Sequence, residues 1–160
     1  MTWSLFLRNG DFDVQGAQLG KVTGQAKLVQ DFRCAVLTEM GSDPMHPGWG
    51  SLIDGGVTPD GRAVPGVIGA TDTQLALAVI ETEIRRIAEY FQNRQLRRIK
   101  EERQRYSKST LTASEILVGV SGVRAIQTST TLAVLVTLAT GSGDTVDVAL
   151  PISDNSLVAR

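Results

Sequence analysis

The stretch TLAVLVTLATGSGDTVDVALPI, residues 131–152, alternates apolar with small or polar residues on both sides of a glycine-rich turn. A period of two is typical of a β-strand that buries one face, and Gly141-Ser142-Gly143-Asp144 supplies the turn. The sequence therefore predicts an antiparallel hairpin, whose second strand presents an apolar face made of Val146, Val148, Leu150 and Ile152.

Pro151 predicts where this second strand lies in its sheet. Because proline has no backbone N–H, we expect the strand at an edge. An edge strand leaves N–H and C=O groups unpaired, and an extended segment of another polypeptide can complete them by β-augmentation. Residues 144–152 are therefore a candidate protein-interaction surface.

Upstream of the hairpin, an apolar stripe predicts a long helix from residue 71 to about residue 104. The stripe runs at spacings of three and four through Leu77, Ile80, Ile84, Ile87 and Phe91. At a rise of about 1.5 Å per residue, such a helix is roughly 50 Å long. This exceeds the radius of a 160-residue domain, so we expect its far end to project or to meet a partner.

The segment from Arg85 to Lys108 is strongly basic. It holds nine of the sixteen basic residues and three acidic ones, so it carries +6 while the rest of the chain carries −7. Three interpretations stay open for a basic helix over 85–108: a nucleic-acid-binding module, docking on an acidic protein surface, and a solvated face with intrahelical pairs. The candidate interaction residues in this segment are Arg94, Arg97 and Arg98.

The remaining patterns complete an α+β prediction. Apolar spacing predicts a helix over residues 24–40 with Thr23 as N-cap, and strands are expected near the N-terminus and at residues 123–128. The Gly/Pro-rich segment 42–70 predicts an irregular loop that could contain a small hairpin around residues 58–61. We expect one domain over residues 1–160, with two main helices, one of them long, packed on a small antiparallel or mixed sheet that ends in the hairpin.

Composition narrows the function classes. The 160 residues are 42% hydrophobic and 21% charged, with a net charge of −1 and no apolar run long enough to span a membrane. Cys34 and His46 are single copies, so a Cys/His zinc cluster is impossible, and no phosphate-binding glycine motif is present. We expect no catalytic residues, no metal and no cofactor. A hydrolase using Glu39 and Glu115 remains an alternative to test.

The loop that follows the first predicted helix resembles a family signature. Leu37-Thr38-Glu39-Met40-Gly41 is similar to the Leu-x-Thr-x-x-Gly element of the baseplate wedge proteins of contractile-tailed phages, with a one-residue change in spacing. Pro47-Gly48-Trp49-Gly50 is similar to the Pro-x-aromatic-Gly element of the same family. The long Glu/Arg-rich helix and the C-terminal hairpin follow in the family's order, whereas Ser42-Asp43 departs from its usual Glu-Arg.

The resemblance implies a structural role in the virion, as a baseplate protein W or tail sheath initiator made in the host cytoplasm. It implies six copies around the tail tube, with tail sheath protein, other wedge proteins and tube or tube-initiator proteins as partners, and neither nucleic acid nor membrane. The C-terminal sheet would accept strands from the first sheath ring. The signature residues then become candidate contact residues: Thr38, Gly41, Pro47, Trp49 and Gly50.

Overall fold

The computed structural model describes residues 4–8, 11–12, 14–15, 18–67, 73–106, 109–127 and 132–151. These residues form an α+β fold with two helices, one of them long, which confirms the predicted fold class. The elements in chain order are β1 Ser4–Leu5, β2 Leu7–Arg8, β3 Asp11–Phe12, β4 Val14–Gln15, β5 Gln18–Leu19, β6 Lys21–Val22, α1 Gly24–Leu37, β7 Glu39–Met40, β8 Ser51–Val57, β9 Ala63–Pro65, α2 Thr73–Tyr106, β10 Leu117–Gln127, β11 Leu132–Thr140 and β12 Thr145–Pro151. A 3-10 turn, Ala113–Glu115, precedes β10.

The C-terminal strands form an antiparallel sheet in the order β10-β11-β12, and β11 with β12 is the predicted hairpin. Val134 lies opposite Leu150 and Val136 opposite Val148, so the apolar residues share one face. In the described part of the chain β12 has a neighbouring strand on one side only. The prediction that Pro151 marks an edge strand is therefore confirmed, while Ile152 lies outside the described residues.

Strand β10 begins six residues earlier than the sequence predicted. Its register against β11 shifts between Leu117 and Gly119 and again between Val120 and Gly122. Each bulge inserts one extra residue and moves the following side chains to the other face. Val120 and Val123 can therefore both pack against the core. Because they are three residues apart, the period of two did not predict this part of the strand.

The two helices cover the apolar face of this sheet side by side. α2 packs mainly against β10, and α1 packs against β12. The rings of Phe32 and Phe91 meet edge to face between the helices, with centroids 6.2 Å apart. The largest fully buried aliphatic side chains are Leu28, Ile84, Leu138, Leu150, Val36, Val134, Val136 and Val148. Their burial supplies the apolar area that stabilises the fold.

Helix α1 ends at Leu37, three residues before the predicted end. The backbone N–H and the Oγ1 of Thr38 both donate to the carbonyl of Cys34, at 3.0 and 2.6 Å, and Thr38 itself is extended. Met40 fits the helical spacing of the apolar face but belongs to β7, where its side chain is buried. At the other end Thr23 is the N-cap residue, without a side-chain capping bond.

Helix α2 runs over 34 residues, close to the predicted span. Its far end does not project alone, because the chain turns back and residues 109–117 bond to it. Gln95 and Glu102 of the helix both make hydrogen bonds to this returning segment.

The segment 42–70, predicted to be irregular, contributes two strands. β8 pairs in parallel with β7 and in antiparallel with β9. The turn between β8 and β9 is closed by the Thr58 N–H, which donates to the Arg62 carbonyl at 2.9 Å, so the predicted small hairpin is confirmed. The glycines that made the segment look irregular allow close backbone contacts within this sheet: a Cβ on Gly56, at φ +141°, would lie 2.5 Å from the Met40 carbonyl oxygen.

Candidate functional site

The apolar residues of β12 divide into buried and accessible positions. Val148 and Leu150 are 1% and 0% exposed, so their side chains belong to the core of this chain. Val146 is only partly buried. The outward side chains of the strand, among them Asp147 and Ala149, are exposed. The parts of β12 that a partner can contact are therefore its backbone and the start of the strand near Val146.

The hydrogen-bond register shows which backbone groups of β12 point outward. The Thr140 N–H donates to the Asp144 carbonyl at 2.9 Å, which makes residues 140 and 144 a hydrogen-bonded pair. Hydrogen-bonded and non-hydrogen-bonded pairs alternate in an antiparallel ladder. The ladder bonds to β11 therefore fall at Val146, Val148 and Leu150, and the N–H groups at 145, 147 and 149 face the open edge. Residue 151 is the next outward position, where proline costs no ladder bond.

The loop with the family-like signature folds against its own chain. A Cβ on Gly50, at φ +98°, would lie 2.6 Å from the Thr38 carbonyl oxygen, and one on Gly41, at φ +81°, would lie 2.6 Å from the Val57 carbonyl oxygen. The Ser51 N–H donates to the Thr38 carbonyl at 2.7 Å. Thr38, Gly41 and Gly50 therefore lie where the backbones of β7 and β8 come close together. The exposed Pro47 lies in the loop between these two strands.

Trp49 and two of the predicted arginines line one cleft between α1 and α2. The Arg94 guanidinium carbon lies 5.0 Å from the centroid of the Trp49 ring, a cation–π contact. The Trp49 ring also approaches the rings of Tyr90 and Phe91, at 6.0 and 6.3 Å between centroids. Arg98 lines the same cleft, which has a volume of about 290 Å³. The structure thus brings together Trp49, Arg94 and Arg98, which the sequence placed in separate motifs.

Glu83 and Arg86 hold this loop to α2. The Arg86 Nη2 donates to the Gly50 carbonyl at 2.7 Å and to Glu83 Oε2 at 3.0 Å. The same Glu83 oxygen accepts the Leu52 N–H at 3.0 Å. Sequence reasoning missed Glu83 because its backbone partner, the Leu52 N–H, is 31 residues away.

The basic segment is partly neutralised within the chain. Arg85 pairs with Glu81 and Arg98 with Glu102, both at 2.8 Å. Toward the end of α2 the exposed cations without an ion pair in the described part of the chain are Arg97, Lys100, Arg103 and Arg105. Lys108 lies outside the described residues. Of the predicted arginines, Arg98 has an ion pair and Arg94 a cation–π contact, whereas Arg97 has neither within the described part of the chain.

Glu115 is a structural residue that the sequence could have revealed. It is 1% exposed. Its Oε1 accepts the N–H of Gly24, the first residue of α1, at 3.1 Å, and its Oε2 accepts the Thr112 N–H at 2.8 Å. Thr112-Ala113-Ser114-Glu115 is a Thr-x-x-Glu capping box, a readable sequence signal.

The remaining candidate reactive side chains are Cys34 and the pair of His46 and Asp43. Burial raises the pKa of the Cys34 thiol. A hydrogen bond from the His46 side chain lowers the pKa of the exposed Asp43 carboxyl, with 2.8 Å between His46 Nδ1 and Asp43 Oδ2. Among the described residues no group of three or more His, Cys, Asp or Glu side chains is placed to hold a metal ion. Within the same residues no helix is long and apolar enough to cross a membrane.

Comparison of the chain with protein-family models, with curated proteins and with solved structures found no match.

Proposed function

We propose that this chain is a structural component of a contractile phage tail baseplate, where it surrounds the tail tube and initiates sheath assembly. The proposal places six copies in the virion, in contact with other wedge proteins and with tube or tube-initiator proteins. The single observation that carries it is the open edge of β12, because unpaired N–H and C=O groups along an ordered strand are a template for an incoming strand.

The order of elements supports the same function. A helix, a loop carrying the signature residues, a long Glu/Arg-rich helix and a C-terminal hairpin follow one another in this chain. The signature glycines lie at close backbone crossings, where a side chain would collide with a carbonyl oxygen. The signature glycines therefore allow the conformation of the loop, and the edge of β12 is the proposed contact with sheath subunits.

The exposed end of α2 supports a second contact. Arg97, Lys100 and Arg103 are exposed on the helix beside Leu96, whose side chain is 60% exposed. Cations beside an exposed apolar side chain suit an acidic protein surface, and we assign this face to a neighbouring wedge protein. The alternative is a nucleic-acid-binding module over residues 85–108. A gel shift whose affinity falls steeply with salt would favour that alternative.

The test is proline at an outward position of β12. In Ala149→Pro the proline ring replaces an outward N–H and obstructs the incoming strand, while the ladder bonds to β11 remain. Ala149→Ser is the matched control, because it changes the same exposed side chain and keeps the N–H.

We expect baseplates that contain Ala149→Pro to assemble and to lack sheath in electron micrographs, and baseplates with Ala149→Ser to carry normal sheath. Circular dichroism and thermal unfolding of the purified variants check that both are folded. Normal sheaths on baseplates that contain folded Ala149→Pro would overturn the proposed function.

A further inference from the structure

A groove of about 1070 Å³ lies along the outer side of α1, away from α2. Its floor is a stripe of α1 residues at helical spacing: Gln25, Ala26, Val29, Gln30, Arg33, Cys34 and Leu37. Phe6 and Leu7 form one wall, and Val146 of β12 stands at the other. The groove is thus bounded by a face of α1, by the N-terminal segment and, at Val146, by β12.

The N-terminal strands fix the position of the first wall. The Gln30 side chain accepts the Leu7 N–H at 3.0 Å and donates to the Leu5 carbonyl at 2.7 Å. These two bonds hold the N-terminal segment on α1. A fourth strand of the C-terminal sheet would lie about 4.8 Å beyond β12, whose Val146 lines the groove.

A strand in that position would turn every second side chain toward α1. Side chains of a paired strand alternate between faces, and the inward face of β12 is the face of Val146, Val148 and Leu150. The inward residues of a fourth strand would therefore meet the apolar part of the groove, at Val29 and Leu37. Val146, partly buried at present, would then be covered.

The charge of the groove adds a second requirement. Arg33 is exposed on the groove floor and has no ion pair in the described part of the chain. A carboxylate on the incoming strand would complement it. β12 spans seven residues, so the ladder can hold an incoming segment of similar length.

We propose that this groove selects the strand that pairs with β12. Its occupant is an extended segment of the sheath subunit, with apolar residues at alternate positions and an acidic residue beside Arg33. The inference rests on the proposed function and deepens it. The β12 backbone supplies hydrogen bonds that any extended strand can make, and the side chains of the α1 stripe distinguish one strand from another.

Filling the groove tests this selection. Ala26 is exposed on the groove floor, so Ala26→Trp occupies the space of the inward side chains without removing a core contact. Ala78→Trp is the matched control, because Ala78 is exposed on α2 away from its basic end. We expect Ala26→Trp to reduce the fraction of sheathed tails at least about tenfold, and Ala78→Trp to leave it unchanged.

Charge reversal gives a second measurement that does not depend on packing. Arg33→Glu should also reduce sheathing, whereas Arg62→Glu, at an exposed position of the turn between β8 and β9, should not. If Ala149→Pro abolishes the sheath while Ala26→Trp and Arg33→Glu leave it intact, the groove inference is overturned and the proposed function stands. If Ala149→Pro leaves the sheath intact, the function itself fails.

A photo-crosslinking residue at position 26 identifies the occupant in assembled tails. We expect crosslinks to an extended sheath segment with alternating apolar residues, and their loss in the Ala149→Pro background. Crosslinks confined to another segment of this same chain would overturn the proposal, because the groove would then be closed from within.

Discussion

Glu102 joins the exposed part of α2 to the chain that follows it. Its Oε2 accepts the Thr110 N–H at 2.7 Å, and its Oε1 accepts the Arg98 Nε at 2.8 Å. The Thr110 backbone N–H, followed by the Arg98 side chain, lowers the pKa of this carboxyl from 4.5 to about 2. The folded state therefore favours the ionised form, and Glu102 contributes stability that depends on pH.

We predict that Glu102→Gln is less stable than the parent chain at pH 7 and that the difference disappears in acid. Because the folded pKa is the lower one, the stabilisation is fully present above about pH 4.5 and is lost as the pH falls toward about 2. Urea unfolding at several pH values measures this difference. A gap between the two chains that stayed constant down to the lowest pH would contradict the assignment.

At the residue scale, the sequence identified structurally important positions, but it did not identify the contacts that these positions make. Gly41 and Gly50 stood out in the loop signature, and both occupy positive φ at a close backbone crossing. A motif cannot show which carbonyl oxygen will lie opposite a glycine, since that carbonyl belongs to a residue 12 to 16 positions away. For the same reason the bond from the Leu52 N–H to Glu83 could not be predicted.

Gln95 is the side chain through which α2 holds the start of β10. Its Nε2 donates to the Glu115 carbonyl at 2.7 Å, and its Oε1 accepts the Leu117 N–H at 2.8 Å. Glu115 and Leu117 are both buried, so water cannot easily replace these two bonds. The amide therefore satisfies the backbone where the 3-10 turn passes into the strand.

We predict that Gln95→Leu lowers the free energy of unfolding by about 2 kcal/mol, because it leaves a buried N–H and a buried C=O without partners. Gln104→Leu, at an exposed position of the same helix, controls for the change in helix propensity and should have an effect within about 0.5 kcal/mol. Chemical denaturation of the two purified variants gives the comparison. Equal stabilities would show that Gln95 does not stabilise this junction.

At the scale of elements, periodicity predicted those that bury one continuous face. The stripe from Leu77 to Phe91 predicted α2, and the alternation in residues 131–152 predicted β11 and β12. β7 has only two residues, and β8 contains Gly55 and Gly56 within the strand. Such strands form because distant backbone groups pair with them, and this pairing produces no pattern in the local sequence.

At the scale of the whole molecule, the two proposed surfaces lie on different helices. α1 packs on β12, whose Val146 lines the groove, while α2 packs mainly against β10. Under the proposed function, one chain would bind an incoming strand through the β12 side and a neighbouring subunit through α2 at the same time. A component that joins a ring and also starts a sheath needs two separate surfaces of this kind.

An open strand edge also creates a risk of self-association, and we infer that Asp147 limits it. This residue lies at an outward-bonding position of β12, is exposed, and accepts a 2.6 Å hydrogen bond from Thr137 Oγ1. When β12 pairs in antiparallel with a second copy centred on this residue, the two Asp147 carboxylates lie opposite each other, and their repulsion disfavours the pairing. Pro151 withholds a further N–H from such a pair.

We therefore expect the purified chain to be a monomer and Asp147→Val to dimerise or aggregate as its concentration rises, because valine removes the repulsion and favours extended backbone. Asp54→Val, at an exposed position of β8, is the control and should remain monomeric. Light scattering coupled to size-exclusion chromatography measures the mass of each variant. A monomeric Asp147→Val would mean that something other than this carboxylate protects the edge, and pairing of β12 with other chains would then need a different source of selectivity.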